Sequence, residues 1–479
     1  MNSDWILSML PHICLGMGGF LIFCAGGFLK KRPADLLFGM AVAAALLSGL
    51  AVFFFPQGAD NPNQMLDIDG FGAYFYLLLT VITLLALLFA RQYARHQGFS
   101  GDEFYGILLF AALSMFLTAG ALHWLAFFLG VEFLSISFYI LIALSTRKPG
   151  SSEAALKYFI MGSVAGAFLV FGIAVLYAAT GTMVIADSLG PYADPAQQNL
   201  ILLGFSLILV GIGFKLSLVP FHFWTPDVYQ GAPAPVTAFL STGAKLCVLA
   251  ALVRFGAASA EWLWTFMTPV LWIMAALTMI GGNIAALTQE RLKRLLAYSS
   301  MAHMGYLLMG LLAIRETGPG PFLFYAAVYG LMDIGAFGSV ALLSPADPEA
   351  VDREDLADYR GIGLSHPLVG GTLAISLLSL AGLPPTGGFF GKFVLFRAAL
   401  LDDFEVLAVI GILTAIVSIY VYLKVIVALY FSPRTGERMV PEPPLLGRAA
   451  GVAVMVLIVW MGVFPSPLLE VIGRMIGGF

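Results

Sequence analysis

GFKLSLVPFHFWTPDVYQGAPAP, residues 213–235, starts like a membrane-spanning helix, carries a lysine at 215 and meets a proline at 220. An amine inside an oily run is costly, and so is a proline inside a helix. Their coincidence asks what kind of fold keeps both. The rest of the chain supplies the setting: of 479 residues, 60% are hydrophobic and 11% charged, where soluble proteins have about 25% charged. Mean hydropathy is +0.93. These values define an integral membrane protein. The formal charge of −4 implies no polyanionic partner and excludes a nucleic-acid binder. Cys14, Cys24 and Cys247 stand in apolar runs without metal-ligand or redox spacing and read as packing residues.

A hydrocarbon core of about 30 Å needs about 20 apolar residues per helix. On that rule the chain is an all-α polytopic membrane protein of about fourteen spans, the first near residues 5–28, the seventh near 200–224, the twelfth near 366–400 and the last near 449–478. The first run ends in Lys30-Lys31-Arg32, a stop-transfer flank rather than a cleavage site, so no cleavable leader is expected. Odd-numbered loops carry most of the remaining bases, among them Arg91, Arg95, Arg147, Lys148, Lys157, Arg291, Lys293, Arg294, Arg434 and Arg438. Even loops and the C-terminus carry only Arg254, Arg315, Arg397 and Arg474. The positive-inside rule then places odd loops in the cytoplasm and both termini outside.

Four lysines remain inside spans: Lys215, Lys245, Lys392 and Lys424. An ionisable group at the bilayer centre costs roughly 2.5–3.5 kcal/mol and needs a partner, water or a function. At about 1.5 Å per helical residue, Glu132, Lys215 and Lys245 fall near the midplane, as do His303 and Asp333, while Lys392 follows a second break. Lys424 lies near the cytoplasmic end of its helix, where it can snorkel. His222, inside the first break, is a further candidate. Packing readings compete. His303 suits a neutral core histidine, Asp333 a satisfied structural carboxylate, and Glu132 with Lys215 a buried pair that fixes helices. Repetition of midplane titratable groups favours a proton relay over packing alone.

Pro220 removes a backbone donor, and Pro384-Pro385 does so again within Leu383–Gly388. Irregular backbone at membrane depth is tolerated only where protein or water satisfies it, and matched breaks in two repeats mark ion paths. Here Gly166-Ala167-Phe168 recurs 169 residues later as Gly335-Ala336-Phe337. Pro220 and Pro384 are 164 residues apart, and Glu132 and His303 171. These offsets predict two inverted five-helix repeats, each with one broken helix, and four regions: 1–103, an N-terminal three-helix segment; 104–256, the first repeat; 257–431, the second; and 432–479, a C-terminal helix.

The motif "GFKLSLVPFHFWTPDVYQGAPAPVTAFLSTGAKL", with "RLKRLLAYSSMAHMGY" and "LAGLPPTGGFFGKF", resembles the antiporter-like membrane subunits of NADH:quinone oxidoreductase, respiratory complex I, over about residues 104–431. The "DVYQGAPAPV" form resembles the N-type subunit. The resemblance implies Glu132 pairing with Lys215, a relay through Lys245, and a terminal lysine at Lys392, where M-type subunits and the cation antiporter relative usually have glutamate. It also implies no lateral helix of the L-type kind. Asp333 departs from the family pattern, which more often has an uncharged polar residue.

The implied function is outward proton translocation as a non-redox subunit of the oxidoreductase, in a bacterial inner membrane. Desolvation disfavours a charged amine and a neighbouring carboxylate favours it, so movement of Glu132 would switch Lys215 and pass a proton through Lys245 and His303 to Lys392. No cofactor is expected in this chain; FMN, Fe–S clusters and quinone are expected in partner subunits. Expected partners are other complex I membrane subunits, homologous antiporter-like ones included, and membrane lipids. Two rival classes are a cation/proton antiporter subunit and a non-transporting scaffold.

Overall fold

The computed structural model describes residues 3–28, 34–54, 65–66, 69–99, 101–145, 149–345, 353–433 and 442–476. Lys30, Lys31, Arg32, Arg147, Lys148, Arg434 and Arg438 lie outside the described residues. The chain begins with α1 (Ser3–Phe28), α2 (Ala34–Val52) and α3 (Gly70–His96). Next come α4 (Asp102–Ala119), α5 (Trp124–Ala143), α6 (Pro149–Thr180), a turn-length α7 (Ile185–Ser188), α8 (Pro195–Lys215), α9 (Trp224–Gly231) and α10 (Ala234–Ala258). After α11 (Glu261–Leu287), α12 (Leu292–Leu312), the short α13 (Ile314–Thr317) and α14 (Gly320–Leu342), a linker holding α15 (Ile362–Ser365) leads into α16 (Pro367–Ala381), α17 (Gly387–Leu401) and α18 (Glu405–Phe431). The chain closes with α19 (Leu445–Val463) and α20 (Ser466–Met475). Among the described residues the only β structure is three isolated bridges.

Among the described residues, thirteen helices are long and apolar enough to cross a membrane. The remaining expected span is the pair α16 and α17, 15 residues each and too short to cross singly. The last expected span is corrected: its helix stops at Val463, and Ser466–Met475 forms a separate helix packed on α3 and α14. Pro465 and Pro467 interrupt the ladder, and Glu470 and Arg474 make the final segment amphipathic.

Neighbour relations recur along the chain. Helix α4 packs on α5 and α10 as α11 packs on α12 and α18, and α6 packs on α8 as α14 packs on α16 and α17. Helices α10 and α14 pack directly together and are the most enclosed in the molecule. Around them α1, α2, α6, α18 and α19 turn apolar side chains outward, Phe20, Leu47, Phe171 and Ile416 among them, as a hydrocarbon solvent requires.

At both breaks, partners take up backbone groups freed from the ladder. At the first, Val219 N–H donates to Thr278 Oγ1 of α11 at 3.0 Å, and the Trp224 indole donates to Phe214 O at 2.9 Å. At the second, Gly388 N–H donates to Ser379 Oγ at 2.9 Å. There α16 ends on Gly382 at φ +78°, a left-handed cap that suits glycine.

Several bases placed in loops by hydropathy belong to helices. Lys293 is buried in the first turn of α12 and donates to Ala232 O at 2.9 Å. Arg254 is buried near the end of α10 and bonds Asp69, the N-cap of α3. Lys157 of α6 and Arg294 of α12 both bond Asp227 of α9, at 2.9 and 2.6 Å. With Glu153, Gln230, Arg291 and Glu354 they line a cavity of about 260 Å³.

Candidate functional site

In the first unit, Lys215 ends α8 and is 7% exposed. Its Nζ donates to Ser135 Oγ at 2.7 Å and lies 5.4 Å from the ring centroids of Tyr158 and Phe214. Glu132 stands one turn before Ser135 on α5, with Oε1 buried and without a partner. The two residues share one locality, yet no ion pair within 4 Å joins them: the amine reaches the serine instead. Room for the carboxylate comes from Gly166 of α6, where a Cβ would stand 2.6 Å from Glu132 Oε1.

Between Lys215 and Lys245 stand aromatic rings. Tyr158 stacks on Trp224 at 4.6 Å, Trp224 meets Tyr229 edge-on at 6.0 Å, and Lys245 Nζ lies 5.5 Å from the Tyr229 centroid. Thr225 and Tyr229, one turn apart on α9, carry buried hydroxyls without partners. Such hydroxyls are points where water can bind.

From Lys245 a hydrogen-bonded cluster extends to Asp333, and ring contacts carry the row on to His303 and Lys392. Lys245 Nζ donates to Ser300 Oγ at 2.8 Å, and Ser300 Oγ lies 2.8 Å from the Tyr329 hydroxyl. Tyr329 donates to Ser241 O at 2.8 Å and stands 3.4 Å from Asp333 Oδ2. His303, 1% exposed, is bracketed by Tyr325 at Nδ1, 2.6 Å, and Tyr422 at Nε2, 3.3 Å, and its ring stacks on Tyr329 with centroids 5.8 Å apart. Tyr422 also shares a short hydrogen bond with Ser299. Lys392 completes the row: its Nζ donates to Leu380 O at 2.7 Å and lies 5.0 Å from the Tyr306 centroid, while Tyr306 meets His303 edge-on at 5.5 Å. A lysine beside a break thus caps a carbonyl near the end of the first half-helix.

Two candidates stand apart. His222 is half-buried in the first break, stacked on Phe223, with Nδ1 unpartnered. Lys424 donates to Gln289 O at 3.1 Å, tying α18 to the α11–α12 loop. Pro220, Pro384 and Pro385 occupy the two gaps between half-helices. Sequence reading passed over the links: Ser135, Ser300, Tyr306, Tyr325, Tyr329 and Tyr422. A signal existed, since Tyr325, Tyr329 and Asp333 recur every four residues along α14, a polar stripe in an apolar helix.

Known proteins share this sequence pattern and fold. The family described as NADH:quinone oxidoreductase/Mrp antiporter, TM matches residues 121–418. NADH-quinone oxidoreductase subunit N 1 of Solidesulfovibrio magneticus is 42% identical, covering 99% of this chain and 100% of its own length. A chain of respiratory complex I from Thermus thermophilus is 34% identical at a TM-score of 0.82, covering 96% of this chain and 98% of that one. A chain of the Mrp complex from a Dietzia species, 20% identical, shares the fold at a TM-score of 0.84 over 99% of this chain and 97% of its own. The chain belongs to the NADH:quinone oxidoreductase/Mrp antiporter transmembrane family, in its subunit N branch.

Proposed function

We propose that this chain is a proton-translocating membrane subunit of an NADH:quinone oxidoreductase, moving protons sideways along the row Glu132, Lys215, Lys245, His303, Lys392 and then outward. The observation that carries this reading is the buried succession of titratable and hydroxyl groups running from one broken helix to the other. Glu132 and Lys215 act at the cytoplasmic-facing half-path, and the cavity around Asp227 supports uptake there: Lys157, which lines it, precedes Tyr158, whose ring lies against Lys215. A carboxylate approaching the amine stabilises its ammonium form, and its withdrawal releases a proton. Lys392, held at the second break, is the exit group. The recurring helix contacts support division into residues 1–103, 104–256, 257–431 and 432–479. The loop charges support a multi-pass placement in a bacterial inner membrane with both termini outside. Redox chemistry, with FMN, Fe–S clusters and quinone, belongs to partner subunits, so the chain contributes to the enzyme as a translocase.

The test is proton pumping by the intact complex in vesicles. Glu132→Gln keeps volume and removes charge, so protons moved per electron should fall while assembly holds. Unchanged pumping with failed assembly would favour the packing role. The fold shared with the Mrp complex favours a second reading, a cation/proton antiporter subunit. That reading requires Na⁺-dependent transport without an electron donor.

A further inference from the structure

Asp333 is fully enclosed on α14, yet its Oδ1 has no hydrogen-bond partner, and its Oδ2 stands 3.4 Å from the Tyr329 hydroxyl with the Ser241 side chain close by. A buried carboxylate that is neither paired nor fully hydrogen-bonded is expensive. The groups around it come from several helices: Tyr329 one turn earlier on α14, Ser241 and Lys245 on α10, Ser300, which bonds both Lys245 and Tyr329, on α12, Tyr229 on α9 and Tyr422 on α18. The Tyr329 hydroxyl has one proton and three oxygens around it: Ser241 O at 2.8 Å, Ser300 Oγ at 2.8 Å and Asp333 Oδ2 at 3.4 Å. A hydroxyl hydrogen rotates to suit its acceptors, so these contacts are alternatives for donation.

We propose that Asp333 is the counter-carboxylate of Lys245, reached through Ser300 and Tyr329, with the Tyr329 hydroxyl turning between the Ser241 carbonyl and Asp333 to open and close the connection. Turned to Asp333, all donors point one way. Lys245 gives a proton to Ser300 Oγ as Ser300 passes its own to Tyr329, and Tyr329 passes its own to Asp333 Oδ2. The ammonium becomes an amine and the carboxylate a carboxylic acid, and reversal restores both without a co-reactant. Turned to Ser241, the hydroxyl leaves Asp333 disconnected and the charge stays on Lys245.

The first unit has the same plan. There too a lysine rests on a serine hydroxyl, and a nearby carboxylate keeps one buried oxygen free of partners. The molecule then holds two switchable lysines, the second governed by a carboxylate from the other half of the chain. His303, stacked on Tyr329, is placed to receive a proton only while the switch leaves Lys245 charged.

This inference rests on the relay reading, and its test separates the two. Asp333→Asn, Asp333→Glu, Tyr329→Phe and Lys245→Met are introduced into the intact complex, and complex content, electron transfer and protons pumped per electron are measured. Asp333→Asn keeps volume and an acceptor for Tyr329, so a structural role would survive it, whereas a charge role would not. The expected result is loss of pumping in Asp333→Asn and Tyr329→Phe to the level of Lys245→Met, with most of it restored in Asp333→Glu. Combining Asp333→Asn with Tyr329→Phe should lose no more than either alone. Wild-type pumping in Asp333→Asn with loss in Lys245→Met overturns the inference and leaves the relay standing. Wild-type pumping in both overturns the relay itself, and this inference with it. If Asp333→Asn fails to assemble, Tyr329→Phe decides, and wild-type pumping there overturns the proposal.

Discussion

At the scale of single residues, what singles out the buried lysines is how little holds them. Lys215 has one hydroxyl partner and two rings nearby, Lys245 one hydroxyl and a ring, and Lys392 one carbonyl and a ring. A permanently paired ammonium would be fixed by carboxylates, as Lys157 is by Glu153 and Asp227. Single neutral partners leave the charge free to move. The space beside Glu132 is part of the same design, because Gly166 is bare where a side chain would collide. Gly166→Leu, which adds no charge and removes none, should displace the carboxylate and reduce protons pumped per electron, with Gly166→Ala milder. Equal pumping in Gly166→Leu and the wild type would show that Glu132 does not need this position. The ionisable members were legible in sequence because a charge in an apolar run stands out. Their hydroxyl partners were not, because serine and tyrosine are common in membrane helices and only packing tells which ones face the row. Direct Glu132–Lys215 pairing was the natural expectation from two opposite charges, but the amine rests on Ser135, one turn along the same helix.

At the scale of elements, the two breaks do different work with the same chemistry. Each ends a helix at membrane depth, and side chains take up backbone groups that the ladder leaves there: Thr278 and Trp224 at the first, Ser379 and Lys392 at the second. Thr278→Val removes the acceptor for Val219 N–H at nearly constant shape, which should cost about 1–3 kcal/mol. A lowered unfolding temperature of the purified complex, recovered in Thr278→Ser, is the expected outcome; an unchanged one would mean that this amide finds another partner. The prolines made both breaks readable in advance. Helix ends set by capping were less so: Asp194 caps α8 six residues before the expected span begins, because a hydropathy window discounts the polar first turn. The last span was drawn too long for the opposite reason, its amphipathic tail being apolar enough on average to hide Pro465.

At the scale of the molecule, the central pair α10 and α14 packs the two halves of the chain together, and the polar row crosses between them there. The outer surface offers hydrocarbon-facing side chains, and under the proposed function the chain is expected to purify from mild detergent with homologous membrane subunits and redox partners. Recovery as a lone, transport-competent monomer would oppose that placement. The central claim is that the row is continuous, and it is tested hardest where only rings join its members: Tyr329 to His303, Tyr306 between His303 and Lys392, and above all the longest such stretch, Tyr158, Trp224 and Tyr229 between Lys215 and Lys245. The decisive measurement is a structure of the intact complex, in more than one redox state, at a resolution that shows ordered water in this stretch. A water chain joining the two amines past the hydroxyls of Thr225 and Tyr229 in at least one state is the predicted result, and a dry aromatic barrier in every state would contradict it.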